Sequence, residues 1–267
     1  MGNIGKYQTE KFLPSRIGTV DIGIASKMKH QITSLIELDV TDARFMIRQK
    51  KVSDHKVSFN AWLIKCVSTA LEENRAVQGI RKGKRKIIIF DDIDIAIMIE
   101  REVNGIKVPL PYVIRKTNEK TIADIFDEID TAQKQLIENE GNYVLGEKKN
   151  TFLMKSYSRM PNFLRKAIFK IILRNPFIIK RNMGTVMITS VGMMGKINGW
   201  ILPHSIHPIS FALGSIVKKP GIKKGNIEIR QVLHMTAVVD HDVIDGAPAA
   251  RTLSRLVSLI ESGFGLS

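Results

Sequence analysis

Apolar side chains alternate strictly from Asp92 to Glu100, where Ile93, Ile95, Ile97 and Ile99 fall on one side of an extended chain. This period of two predicts a strand. Extended apolar runs at Thr33–Val40, Lys86–Phe90, Thr185–Thr189, Ser210–Val217 and Ile227–Val239 predict five more. Helical periodicity marks Thr41–Lys51 and Asn60–Asn74, and Thr121-Ile122-Ala123-Asp124 has the form of a capping box opening a helix to about Leu136. Leu253, Leu256, Val257 and Ile260 then place a last helix after Ala247. Strands and helices alternate irregularly, without a repeat or a Gly/Ser linker. The pattern fits one α+β domain over residues 1–267, built on a mixed β-sheet.

One segment departs from this alternation. Lys155 to Arg181 holds eight basic residues and no acidic one, with Phe163, Leu164, Ile168, Ile171 and Ile172 interleaved at helical spacing and Phe177, Ile178 and Ile179 after them. A basic amphipathic helix of this kind can lie on an anionic membrane. It can equally pack on the core and present a solvated basic face. The segment is also the main source of charge asymmetry in a chain of formal charge +15, with 41 basic and 26 acidic residues. Such a balance points to an anionic partner: a membrane surface, a phosphorylated ligand or nucleic acid. Four tyrosines, two tryptophans and no zinc-finger spacing argue against nucleic acid. No secretory signal and no full apolar span is present, so a cytoplasmic protein, peripheral at a membrane if the basic segment binds one, is expected. The single cysteine, Cys66, sits among Trp62, Leu63, Val67 and Leu71 and reads as a core residue.

The candidate chemistry lies at Asp240-His241-Asp242-Val243-Ile244-Asp245-Gly246-Ala247, between the last strand and the last helix. A histidine at a chain reversal is accessible to substrate, and an imidazole exchanges protons near neutral pH with a thiol or hydroxyl. Gly246 and Pro248 suit a turn into a helix, and Asp245 falls where free amides favour a carboxylate. A purely structural turn, with Asp245 as a cap and His241 as a polar surface residue, is equally compatible with these residues. Weaker signals surround it. His204-x-x-His207 has no carboxylate or cysteine beside it, which argues against a metal. Gly192-x-x-Gly195-Lys196 lacks the rest of a phosphate loop and reads as a turn, and His30, His55 and His234 stand apart as structural or exposed residues.

Three blocks together resemble the catalytic domain of the dihydrolipoyl acyltransferases of 2-oxo acid dehydrogenase complexes and, more distantly, chloramphenicol acetyltransferase. Ile24-Ala25-Ser26-Lys27-Met28 followed by Leu38-Asp39-Val40-Thr41 is similar to that family's first helix and the strand after it. Gly184-Thr185-Val186-Met187-Ile188-Thr189-Ser190-Val191-Gly192 resembles its inner strand and turn, and Asp240 to Ala247 resembles its histidine signature. The resemblance runs from about residue 14 to the C-terminus, with the basic segment at about 155–181 as an insertion. It implies a chloramphenicol acetyltransferase-like α+β fold of two halves around a mixed sheet, a homotrimer or larger assembly with sites between subunits, and acyl transfer between coenzyme A and a thiol, hydroxyl or amine acceptor. On the same grounds His241 is the general base, Thr189 the hydroxyl that donates to the oxyanion, and Asp245 the carboxylate that shapes the turn. No bound lipoyl group or metal is expected, and a lipoyl domain would be supplied by a separate protein.

Two positions depart from the family pattern. Asp242 stands where an arginine usually follows the histidine, and Asp21 stands where the first helix usually carries the arginine that pairs with the signature aspartate. Arg16 is the substitute expected for that pairing. The two acids also admit a different class of function, an assembly protein that keeps the trimeric fold with reduced or lost catalysis. The Trp200 region is expected to line the acyl pocket, as the corresponding loop does in the family.

Overall fold

The computed structural model describes residues 5–9, 12, 14–53, 55–103, 106–134, 160–191 and 198–266. In chain order the elements are α1 (Pro14–Ser26), β1 (Gln31–Asp39), α2 (Thr41–Val52), α3 (Phe59–Glu72), a 3₁₀ turn at Arg75–Gln78, and the short strands β2 (Ile80–Lys82) and β3 (Lys86–Ile88). β4 (Ile95–Val103), β5 (Ile106–Ile114), α4 (Ile122–Lys134), α5 (Asn162–Leu173) and α6 (Pro176–Met183) follow. The chain closes with β6 (Val186–Ser190), β7 (Ile209–Lys223), β8 (Asn226–Asp240) and α7 (Gly246–Glu261).

Six strands form one sheet in the order β1-β8-β7-β6-β4-β5, and β2 with β3 makes a separate ribbon. The sheet is mixed: β6 runs parallel to β4 and β7, and the other neighbours are antiparallel. The period-two isoleucines explain its inner face. Ile95, Ile97 and Ile99 join Val186, Ile188, Ile209, Phe211, Leu233, Met235 and Leu38 in a core closed by α3 and α7. α3 is buried along most of its length, and the Trp62 indole N–H donates to the Phe264 carbonyl at 2.9 Å, tying the C-terminus down. Cys66 lies in this core, where burial pushes its thiol up to about 12 and leaves it chemically inert.

Local hydrogen bonds explain two of the sequence motifs. The capping box is reciprocal: the Asp124 amide donates to Thr121 Oγ1 at 3.2 Å and the Thr121 amide to Asp124 Oδ2 at 2.9 Å. At Asp39-Val40-Thr41, Asp39 accepts from the Thr41 amide and from Arg230, and Thr41 Oγ1 accepts from the Gln231 amide at 2.7 Å. The motif therefore ends β1 and fastens α2 to β8.

The basic segment differs from its sequence reading. Its residues 155–159 lie outside the described residues; the remainder forms two helices instead of one. Pro176 cannot continue α5, and Asn175 caps the new helix by accepting from the Phe177 and Ile178 amides at 3.1 and 3.3 Å. α6 is fixed to the sheet through Lys180, which lies 3.1 Å from Asp92 and 3.4 Å from Asp94. α5 packs on α1 through Arg165 and Asp21, which form a buried ion pair of 2.7 Å. Arg16, the substitute expected to pair with the signature aspartate, is exposed; Lys29 instead meets an aspartate of that signature, 2.5 Å from Asp240, while Arg165 pairs with Asp21. Among the described residues no helix is long and apolar enough to cross a membrane.

Gly184 joins α6 to β6 with φ of 74°, and a Cβ there would meet the Asp94 carbonyl oxygen at 2.6 Å. Both the backbone conformation and the space exclude a side chain. Gly184→Ala should therefore lose about 1–3 kcal/mol of stability, read as a reduced denaturation midpoint. An unchanged midpoint would show that β4 and β6 can separate here without strain.

Candidate active site

β8 ends at Asp240, and the chain reverses over His241–Val243 before α7 begins with Asp245 as N-cap. Asp240 is the anchor of this reversal. It is buried, its amide donates to the Pro208 carbonyl at 2.8 Å, and its carboxylate meets Lys29 Nζ at 2.5 Å. The amides of Asp242, Val243 and Ile244 all donate back to Asp240 at 3.0–3.3 Å. The His241 amide donates to the His30 carbonyl at 2.7 Å. The backbone is thus held from both sides while the His241 side chain is exposed. The Asp245 carboxylate makes no capping bond and is also exposed, although the residue occupies the N-cap.

Lys29 and His30 were not selected from the sequence. They follow α1 directly and belong to no motif; only the pairing of Gln31 with Asp240 in β1 and β8 brings them beside the turn. His30 is exposed, as its sequence reading allowed, but it does not stand apart: its Nδ1 lies 2.9 Å from Asp242 Oδ1, with Arg81 at 3.9 Å from the same carboxylate. The aspartate that replaces the usual arginine therefore has its own local cation. The hydrogen bond to Asp242, and then its charge, raises the His30 imidazole above its ordinary value. A raised folded-state value means the contact supports the turn below the ordinary imidazole range and is lost as pH rises through the raised value. By NMR the His30 ring should titrate above the usual range near 6.5 and return to it in Asp242→Asn. A midpoint unmoved by that substitution would show that Asp242 is not the cause.

Thr189 lies near the end of β6, on the face opposite the core residues Val186 and Ile188. Cross-strand register puts it in one row with Ala212, Thr236 and Leu35. His241 lies five residues beyond Thr236 along β8 and two strands away from β6. Strand rise and spacing separate the two by on the order of 15–20 Å within a protomer. One chain thus carries the imidazole and the hydroxyl but does not bring them together. Gly192, Gly195 and Lys196, just past β6, lie outside the described residues.

The segment after them covers part of the same sheet face. Trp200 donates to the Ile36 carbonyl at 3.1 Å and its ring lies 4.2 Å from that of His234, which is buried. His207 is buried too. Its Nε2 donates to the Met183 carbonyl at 3.0 Å, its Nδ1 lies 3.3 Å from Ser205 Oγ, and burial pushes it down to about 4, so it is neutral near pH 7. His204 is exposed, and among the described residues no group of three metal-ligating side chains forms.

Known proteins match this chain in sequence family and in fold. The model of the family described as 2-oxoacid dehydrogenases acyltransferase (catalytic domain) matches residues 17–142 and 181–264. The lipoamide acyltransferase component of the branched-chain alpha-keto acid dehydrogenase complex of Bacillus subtilis is 26% identical over 251 residues, covering 90% of this chain and 50% of that protein. The chain therefore spans about half the length of the curated relatives it matches. Among solved structures, the cubic core of the pyruvate dehydrogenase multienzyme complex superposes with a TM-score of 0.70 at 16% identity, covering 98% of this chain and 95% of that one. Azotobacter vinelandii dihydrolipoamide acetyltransferase, studied for the roles of a serine, a histidine and an asparagine in its catalytic mechanism, superposes with a TM-score of 0.69 at 16% identity, again over 98% and 95%. The α+β fold on a mixed sheet is the fold these proteins share.

Proposed function

The chain belongs to the family of 2-oxoacid dehydrogenase acyltransferase catalytic domains, and on that premise we propose that it transfers an acyl group between coenzyme A and a thiol, with His241 as general base. One observation carries the reading. The serine, histidine and asparagine studied in the Azotobacter vinelandii enzyme are 52 and then 4 positions apart, and Thr189, His241 and Asp245 repeat both intervals.

The chemistry follows from what each group can hold. The imidazole of His241 accepts the proton of the attacking thiol, whose sulfur then adds to the thioester carbonyl. Charge develops on the carbonyl oxygen, and the Thr189 hydroxyl donates a hydrogen bond to it. Collapse of the tetrahedral intermediate breaks the bond to the leaving sulfur, and the imidazolium returns the proton to it. No covalent enzyme intermediate is needed. Asp245, at the N-cap of α7 four residues on, is assigned to shaping the turn that carries His241. Because Thr189 and His241 are far apart in one protomer, the site is assembled between two copies, in keeping with the trimeric assembly implied by the family. The acyl acceptor is a dihydrolipoyl group carried by another domain or protein, by analogy with the names of the curated relatives.

An assembly role without catalysis was the alternative suggested by Asp21 and Asp242. Arg165 and His30 give those acids local partners, and neither contact involves the His241 side chain. The test is thiol release from a panel of acyl-coenzyme A donors, with dihydrolipoamide and a separate lipoyl domain as acceptors. Acceptor-dependent release supports transfer. Coenzyme A that neither binds nor reacts would favour the assembly role.

A further inference from the structure

α5 half-buries Ile168, Phe169, Ile172 and Leu173 on its inner face and carries apolar residues on its outer face as well. It turns Arg165 inward onto Asp21, whereas Phe163 and Ile171 are 76% and 65% exposed and Leu164 is 41% exposed. Phe163, Ala167 and Ile171 are four residues apart and make one outward ladder. Lys166, Lys170 and Arg174, all exposed, make a second ladder beside it. Among the described residues none of these three cations has an ionic partner, and no acidic residue occurs anywhere between 160 and 183. Behind the helix, Asp21, Ile24 and Met28 of α1 line a cleft of about 120 Å³ with Phe169, Lys166 and Lys170. Met28 is itself 61% exposed, so the apolar surface continues from α5 toward α1. The family model leaves 143–180 unmatched, and α5 lies in that interval.

We propose that α5 docks this protein on an anionic lipid bilayer, with Phe163 and Ile171 inserted among the acyl chains and Lys166, Lys170 and Arg174 at the phosphate level. Two observations favour lipid over a second copy of the chain. Every copy of the chain carries a formal charge of +15 and so offers no surplus of acids to these cations, and an isologous contact through this face would bring like-charged ladders together. A bilayer instead offers negative charge and hydrocarbon side by side at the depth of one helix radius, which is what the two ladders require. The buried Arg165–Asp21 pair holds the helix with this face outward, so docking needs no rearrangement.

The experiment is co-sedimentation of the full chain with vesicles of mixed phosphatidylglycerol and phosphatidylcholine, against pure phosphatidylcholine, at low and high salt. Binding should require phosphatidylglycerol and weaken with salt. Each cation removed should weaken it about fivefold, so Lys166→Gln/Lys170→Gln/Arg174→Gln together should cost about two orders of magnitude. Phe163→Ser/Ile171→Ser should abolish stable binding. Ile222→Ser/Ile227→Ser, on another exposed apolar surface, should leave it unchanged; a shared melting midpoint would confirm that all variants are folded. Absence of binding to anionic vesicles overturns the proposal, as does binding that survives both α5 variants. Loss of assembly mass in Phe163→Ser/Ile171→Ser with lipid binding intact also overturns it, by assigning the face to a second copy.

Discussion

His241→Ala should lower acyl transfer by about 10²–10⁴-fold, and Thr189→Ala by about 10²–10³-fold, with melting and assembly unchanged in both. The stronger test is to combine them. If the imidazole and the hydroxyl of one site come from two protomers, each single variant is defective in a different half. Equal amounts of the two, co-expressed with different tags so that they assemble at random, generate sites of four kinds. One kind in four pairs an intact His241 with an intact Thr189, so about a quarter of the wild-type rate should return. A chain carrying both substitutions, mixed with either single variant, should restore nothing. Failure of the two singles to complement would mean that both groups serve the same protomer, or that one of them takes no part.

Arg165→Met should destabilise the docking of α5 by about 3–5 kcal/mol, because it strips the guanidinium from a carboxylate that stays buried. Asp21→Leu should have a similar cost by leaving the guanidinium in the same apolar setting. The double variant should recover most of the loss, since two apolar side chains fill the space without a desolvation penalty. Hydrogen exchange at the α5 amides is the measurement of choice, as it reports undocking of this helix separately from global unfolding. Three equal curves would show that the pair contributes nothing and that apolar contacts alone hold α5 in place.

The helices that frame the core and most of the sheet were legible because burial imposes a period. β4 shows it most plainly, and α7 by the spacing of Leu253, Leu256 and Ile260. β5 was not legible. Pro109 and Pro111 interrupt its pattern, and they are tolerated because β5 is the last strand of the sheet, with β4 on one side only. The full reach of the β7–β8 hairpin was missed for a different reason. Only the outer half of β7 escaped, because Lys218-Lys219-Pro220-Gly221 carries no apolar alternation, whereas β8 was read to within a residue at each end; the turn at Lys224-Gly225 rests on positive φ at both residues. At the site, the three family-like residues could be named from their motifs, but their supports could not. Lys29 meets Asp240 across 211 positions, His30 meets Asp242 across 212, and Arg165 meets Asp21 across 144. Pairings at that range are decided by sheet register and helix docking, and neither leaves a local trace.

The distance between Thr189 and His241 has a consequence for how much of the protein a cell must hold. On the proposed function a lone chain would be half an enzyme, so output would depend on the fraction of protomers that have found neighbours. Below the dissociation constant of the assembly, activity falls faster than the amount of protein, by roughly the number of subunits as an exponent. Diluting the protein in an assay should therefore reveal a threshold, with specific activity constant above it and collapsing beneath it. Expression level alone would then switch the activity on, with no ligand and no modification involved.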